Sequence, residues 1–572
     1  MMRPGLRWFT VLVAALLVAP LPAPSSTFAT TLEAAAQAYD AGHYRQAASL
    51  YEQVVHANPV NPAYWRRLAA SHYLAGEYRE SIPAYVKAMQ LGQDQPATLA
   101  YFLARAYARA GDLATGMRWL HQAMAWGYTD LEGARTDDAI ALLRKQPGFA
   151  DLLGIVDAQT MTRDAGWRYD LAFLARWTNA KAYHPFRTNT GDRFVSDAIY
   201  TQSQFDEQVR KLSDAVPNLT DPQIELGMMR LLAALGDGHT ELGGGPRPEY
   251  AMTIPVKFES FQEGLFVTAA APAYRNLLGA RVLTIDGHPI ATVIQRVAPY
   301  ISRDNEYWLS AVEPYRLRAI PFLHALGLTA RADRVTLHVM LRDGKAQDRV
   351  VVTTADYPNI WNMLPSPPGW VNLFDTLAKT PPLYLTKTSE HYWFTYDSKT
   401  RVVYFQYNNV IDDKSEPLAN FAQRLGTFIA SHDVAKLVVD MRWNNGGDTF
   451  LNAPLLAMLQ CSKVNRTGHL FVIIGQRTFS AGLNAADYFQ RDLNAIFVGE
   501  PTGGKPNAPG DETFFTLPFS KIAVNFSSVY WESGWPQDAR RAIAPDVYTP
   551  RTFAAYLAAD DPAMDAIVAD TL

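Results

Sequence analysis

Hydrophobic residues change their spacing along this chain, and each change marks a different kind of structure. Between Gly166 and Leu242 the apolar positions keep a helical period. It is clearest in TDPQIELGMMRLLAALGDGHT (220–240), where Thr220 and Asp221 are cap candidates and Gly236 ends the pattern. Across 251–355 the pattern becomes that of strands: MTIPVKF, GLFVTAA, RVLTIDG, RVTLHVML and DRVVVTT alternate with turns. The segment 356–399, rich in proline and tryptophan, predicts an irregular linker. Over 400–555 nearly continuous apolar runs (VVYFQYNNV, KLVVDMR, HLFVIIG, AIFVGE) alternate with helical stretches such as AGLNAADYFQRDL. That texture predicts an α/β domain with a buried, largely parallel sheet. Reactive groups usually sit in the loops after such strands.

The upstream part repeats itself. Gly42, Tyr44 and Tyr51 recur 34 residues later as Gly76, Tyr78 and Tyr85, and a third copy follows at 35 with Gly111, Leu120 and Ala123. Over 31–150 this resembles the tetratricopeptide repeat. The resemblance implies paired antiparallel helices, with a glycine where they pack closely and an aromatic knob filling the next groove. Pro59 and Pro62 sit where such repeats change helix. Three copies suffice for a stacked core, and the region reads as a binding or spacing module for a protein partner.

Composition narrows the functions. The chain has 572 residues, 48% hydrophobic and 19% charged, which predicts a multidomain globular protein. A net charge of −4 without a basic run points away from nucleic acid. The single cysteine, Cys461, excludes an internal disulfide framework and reads as a small buried residue. Residues 1–30 read as a secretory signal: Arg3 and Arg7, then an uncharged stretch from Trp8 to Pro24, then small residues with a possible cut after Ala29. Prolines 20, 22 and 24 shorten the apolar run below the roughly 20 residues of a membrane span. The mature protein is therefore expected outside the cytoplasmic membrane, periplasmic or extracellular.

Four tracts carry candidate chemistry. Ser480 in RTFSAG follows a strand and opens a helix, where free N–H groups and the dipole favour developing negative charge. The bland role for a serine there is to cap the helix. VVDMRWNNGGD ends a strand in a turn closed by Gly446 and Gly447, which could bring N–H groups against an oxyanion. His239 in LGDGHTEL lies just beyond a helix end, boxed by small residues. Lys505 in GEPTGGK stands 25 residues after Ser480 and would serve as a base only if kept neutral. Asp538 and Glu532 are loop carboxylates that could orient a base.

Together these tracts resemble the serine peptidases that include the C-terminal processing (tail-specific) proteases and the tricorn core protease. The likeness runs over roughly 160–550: a helical cap at 160–245 ending in DGHT, a PDZ-like insert at 251–355 around GARVLTIDGHPI, then DMRWNNGGD, FSAG, GEPTGGK and IAPDV. It implies a ClpP/crotonase-like α/β catalytic core. In the processing branch a serine and a lysine form a dyad, which Ser480 and Lys505 match. In the tricorn branch a cap histidine is the base, which His239 matches, helped by a second serine and a downstream acid. Gly238 occupies the helper serine's place, and Asp538 approximates the acid. Gly446 and the Ala481 N–H match the oxyanion donors. DGHT is more typical of the histidine branch, which favours His239 as base. Leu483, where the processing serine box carries a glutamate, argues against close kinship with that branch.

The function expected is a secreted serine endopeptidase acting on extended or unfolded polypeptides, with the PDZ-like segment presenting the substrate. The alternatives are a non-catalytic binding scaffold of the same fold and a hydrolase of other acyl substrates. No cofactor or metal is expected, since the chain lacks H-E-x-x-H, cysteine clusters, a P-loop and a dinucleotide fingerprint.

Overall fold

The computed structural model describes residues 26–92, 95–128, 130–155, 157, 160–181, 198–242, 252–355, 366–377 and 379–569. They form two compact units that divide between Leu153 and Gly154. The expected secretory signal lies largely outside the described residues. Among those described, no helix is long and apolar enough to cross a membrane.

The first unit is a helical repeat region. Helix α1 (Ser26–Asp40) pairs with α2 (Tyr44–Ala57), α3 (Pro62–Leu74) with α4 (Tyr78–Gln90), and α5 (Pro96–Ala110) with α6 (Leu113–Ala125). The short helices α7 (Leu131–Thr136) and α8 (Phe149–Leu153) follow. Tyr51 and Tyr85 are buried in a shared core with Ala47, Val54, Ala88 and Leu103, as knobs would be. Pro62 opens α3, where its missing N–H costs nothing. The repeating glycines differ from expectation. A Cβ on Gly42, Gly76 or Gly111 would meet nothing within 4 Å, so close packing is not what requires them. Their φ values of +77°, +84° and +91° are: each turns the chain left-handed after a helix.

The second unit begins with three helices, α9 (Arg163–Lys181), α10 (Gln202–Ala215) and α11 (Asp221–Ala233), and a short strand β1 (Glu241–Leu242). Thr220 caps α11 as expected, its N–H donating to Gln223 Oε1 at 2.9 Å. An antiparallel body follows, made of β2 (Val256–Phe261), β3 (Gly264–Ala270), β4 (Arg281–Ile285), β5 (His288–Pro289), α12 (Ile290–Val297), α13 (Glu306–Arg316), α14 (Ile320–Ala325), β6 (Arg334–Met340), β7 (Ala346–Val352) and β8 (Val371–Asn372). Its main strand order is β2-β3-β4-β6-β7, over a core that includes Phe258, Val267, Val282 and Leu337.

The remaining elements are β9 (Tyr392–Asp397), β10 (Val402–Tyr407), α15 (Leu418–Ser431), β11 (Lys436–Asp440), α16 (Asn452–Gln460), β12 (Leu470–Ile474), α17 (Ser480–Asp492), β13 (Ile496–Gly499), β14 (Pro509–Thr516), β15 (Ala523–Tyr530), β16 (Val547–Tyr548), α18 (Phe553–Ala558) and α19 (Pro562–Val568). The central sheet runs β16-β13-β12-β11-β10-β9, parallel throughout except for the β9–β10 pair. Strand β9 falls inside 356–399, the segment expected to be irregular. It pairs antiparallel with β10, and YWFTYD opens with three aromatics that give no period of two. Helix α19, beyond residue 555, packs Ala563 and Ile567 on this sheet. Cys461 is exposed rather than buried, because it ends α16 where the helix leaves the core.

Strands β14 and β15 form a hairpin that β1 extends, pairing Glu241 with Asn525 and Leu242 with Val524. The residues after DGH are thereby stitched to a hairpin nearly 300 positions away. That pairing positions the site.

Candidate active site

Ser480 is the first residue of α17 and has a φ of +50°. A serine held left-handed carries strain of about 1–2 kcal/mol, so its surroundings must impose the conformation. Thr478 Oγ1 donates to Met441 O at 2.9 Å and accepts from Gly475 N–H at 3.0 Å. Phe479 N–H donates to Asn444 O at 3.0 Å. Phe479, with extended backbone, occupies the cap position, so Ser480 is not the cap of its own helix.

The turn after β11 lies against the serine. A Cβ on Gly446 would stand 2.6 Å from Ser480 Cβ and 3.0 Å from its Oγ, and one on Gly447 would meet Val410 O at 2.1 Å. Only glycine lets this turn approach so closely. Gly446 N–H, expected as an oxyanion donor, donates to Asn444 Oδ1 at 3.1 Å and is engaged within the turn. Ala481 N–H lies in the first turn of α17, where such groups lack an intrahelical partner. It is 3.1 Å from the Cβ position of Gly446.

His239 is 5% exposed, and neither ring nitrogen has a hydrogen-bond partner. Its loop is fixed at every residue. His239 N–H donates to Asp237 Oδ1 at 3.0 Å, and Gly238 N–H to Asp304 Oδ1 at 2.7 Å. Thr240 Oγ1 donates to Asp237 Oδ2 at 2.5 Å, and Ser302 Oγ to Thr240 O at 2.5 Å. Asp237 Oδ1 is also the nearest carboxylate oxygen to Nδ1, at 3.8 Å. The ring lies in a stack of three: His239 on Phe479 with centroids 4.5 Å apart, and Phe479 on Trp308 at 4.2 Å. Burial alone would lower the imidazole pKa. Asp237, Asp304 and Glu512 outweigh it and hold the group above its ordinary value.

The other expected residues are placed differently. Lys505 lines neither cavity at Ser480; its charge acts on Asp304. Asp538, expected as the acid behind the base, accepts from Arg540 Nε at 3.0 Å and is not among the groups acting on His239. An arginine two residues on captures the carboxylate before it can reach the site. Glu532 is exposed. Gly238 has no room for the hydroxymethyl of a helper serine, since a Cβ there would meet Phe479 Cζ at 2.7 Å.

Two cavities border the serine. One, of about 340 Å³, is lined by His239, Asp304, Phe450, Ser480, Leu483 and Trp531, among others. The other, of about 380 Å³, includes His239, Asn409, Gly446, Ser480, Asp511 and Glu512. Sequence patterning missed Asp304, Trp308 and Trp531, which reach the site through tertiary packing, and gave no role to Phe450 and Phe479, which lie within the motif tracts themselves. Among the described residues no group of three or more His, Cys, Asp or Glu is placed to hold a metal ion.

No family model and no curated protein matches this chain. Solved structures similar to it include mature CPAF complexed with lactacystin, at 12% identity and a TM-score of 0.49 over 71% of this chain and 97% of that one. The photosystem II D1 C-terminal processing protease is similar at 14% identity and a TM-score of 0.33, over 68% of this chain and 94% of that one. The tricorn protease is similar at 14% identity and a TM-score of 0.32, over 72% of this chain and 37% of that one. Likenesses at these values are similarities of structure only, and what the site can do rests on its own geometry.

Proposed function

We propose that this protein is a serine peptidase that cleaves extended or unfolded polypeptides outside the cytoplasmic membrane. The observation that carries the reading is that Ser480 and His239 border the same space. Both line the same two cavities, and the buried imidazole has both nitrogens unpaired. A buried polar ring without partners is costly unless a reacting group completes it.

In this reading Ser480 Oγ attacks the scissile carbonyl carbon while His239 takes its proton. The carbonyl oxygen becomes an oxyanion held by Ala481 N–H and by the glycine turn, where Gly446 N–H would exchange Asn444 Oδ1 for the substrate. The C–N bond then breaks as His239 returns the proton to the leaving amine. A water attacks the acyl carbon and gives a proton to His239; the C–Oγ bond then breaks as His239 returns that proton to Ser480 Oγ, releasing the new acid and restoring Ser480. His239 is preferred over Lys505 as base because Lys505 lines neither cavity. The antiparallel body would act as the PDZ-like peptide holder, and the 400–555 region as a ClpP/crotonase-like core. The tetratricopeptide-like repeats would recruit a protein partner.

The test uses the full chain without its signal, wild type beside Ser480→Ala. Each is incubated with a denatured protein and the products are read by mass spectrometry. Fragments from the wild type alone, with an unchanged melting temperature in Ser480→Ala, are expected. Equal fragments from both proteins would sink the reading, and none from either would favour a scaffold.

A further inference from the structure

Resting on the assignment of His239 as base, we propose that Asp304, delivered by the antiparallel body, is a second carboxylate beside Asp237 that balances the charge of His239, in place of a downstream acid.

Asp304 is 2% exposed and lines the cavity that holds Ser480 and His239. Its Oδ1 accepts Gly238 N–H at 2.7 Å, fixing the peptide next to the base. Its Oδ2 is buried without a partner, 3.5 Å from where a Cβ on Gly504 would stand. A half-satisfied buried carboxylate costs folding energy. Such a group is accounted for if positive charge appears nearby when His239 takes a proton.

The flanking residues clamp Asp304. Ser302 Oγ donates to Thr240 O at 2.5 Å. Asn305 Nδ2 donates to Thr502 O at 3.1 Å and Arg541 O at 2.8 Å, and its Oδ1 accepts Tyr307 and Trp308 N–H at 3.0 Å each. One short segment therefore grips the DGHT loop, the GGK loop and the helix that carries Trp308. Among the other carboxylates around His239, Asp237 lies nearest to the ring, with Oδ1 3.8 Å from Nδ1, and also accepts His239 N–H, so Asp304 acts beside it. Both oxygens of Asp237 are committed within its own loop, Glu512 is exposed, Asp511 is an exposed cavity-lining residue, and Glu241 pairs with Arg316 at 3.4 Å. Burial and the neighbouring Asp237 push Asp304 up to about 6, with Lys505 and His239 opposing the rise, so it is mostly ionised at neutral pH. This gives Lys505 a role as counter-charge to Asp304.

Asp304→Asn keeps an acceptor for Gly238 N–H and removes the charge. The histidine-ring NMR titration of His239, identified by the signal lost in His239→Ala, is measured in the full chain carrying Ser480→Ala. The midpoint is expected to fall by about one pH unit in Asp304→Asn. Asp304→Ala, which brings in no amide, should shift it in the same direction. An unmoved midpoint in both would overturn the proposal, whatever the activity. With Ser480 intact, the acid limb of kcat/KM should move down in pH by the same amount. A merely structural role would lower the whole profile without moving the limb. A shifted midpoint in a protein that cleaves nothing would leave Asp304 assigned and remove the peptidase reading.

Discussion

His239 rests face to face on Phe479, with ring centroids 4.5 Å apart and planes inclined by 26°. Phe479 directly precedes Ser480, so one backbone step links the proposed nucleophile to the surface that carries the proposed base. Trp308 supports the other face of Phe479. The orientation of the base thus derives from packing as much as from hydrogen bonds.

Gly238→Ser should break this arrangement, although it restores a serine that the resemblance to the tricorn branch would welcome. The new Cβ would meet Phe479 at 2.7 and 2.9 Å and Asp304 Oδ1 at 3.2 Å. Overpacking of this kind costs about 1–3 kcal/mol. Denaturant titration should register that loss, and kcat/KM should fall at least about tenfold as the stack shifts. Gly238→Ala should behave alike, since the Cβ makes the clash. Higher activity in the serine variant would show that the hydroxyl helps and the stack does not matter.

Much of the fold was legible because patterning is local. The parallel sheet, the helical repeat and the capping of α11 all follow from spacing. The strand β9 was not, since its first three residues are all aromatic and give no period of two. The site was half legible. Ser480, His239 and the glycines carry motifs, but Asp304 lies 65 residues from His239 in a segment with no pattern of its own. Sequence spacing cannot reveal that Arg540 holds the Asp538 carboxylate. The repeat glycines misled because a periodic glycine marks either close contact or a left-handed turn, and only backbone angles distinguish them.

In the proposed peptidase, Phe450 should set which residue is accepted beside the scissile bond. It is 74% exposed, its ring meets Trp531 edge-on at 5.8 Å, and both line the cavity at Ser480 with Leu483. An exposed aromatic wall next to a nucleophile fits a large apolar side chain. Phe450→Ala should lower kcat/KM about 10- to 100-fold for peptides with such a residue and spare those with alanine. Stability should change by less than about 0.5 kcal/mol, since the ring is on the surface. Competition within a peptide mixture measures this directly; a uniform loss across all peptides would mean that Phe450 supports the site rather than reading the substrate.

Asp487 should make stability fall as pH rises. It lies on α17 at 1% exposure, its Oδ2 accepts from Ser533 Oγ at 2.7 Å, and its Oδ1 has no partner. Burial pushes its carboxyl up to about 7; Asp538 adds to the rise, while Ser533, Arg540 and Arg491 oppose it. An unfolded aspartate titrates near 3.9, so between about 4 and 7 the folded state holds a proton that the unfolded state has released. The group's stabilising contribution is therefore complete below about 4 and lost as pH climbs through about 7. Asp487→Asn removes this dependence while keeping an acceptor for Ser533. Relative to wild type, the variant should gain stability progressively from pH 5 to pH 7, by up to about 1.4 kcal/mol per pH unit, and level off by pH 8. A constant difference across the range would mean that Asp487 is ionised throughout, and that Ser533 and the nearby arginines outweigh its burial.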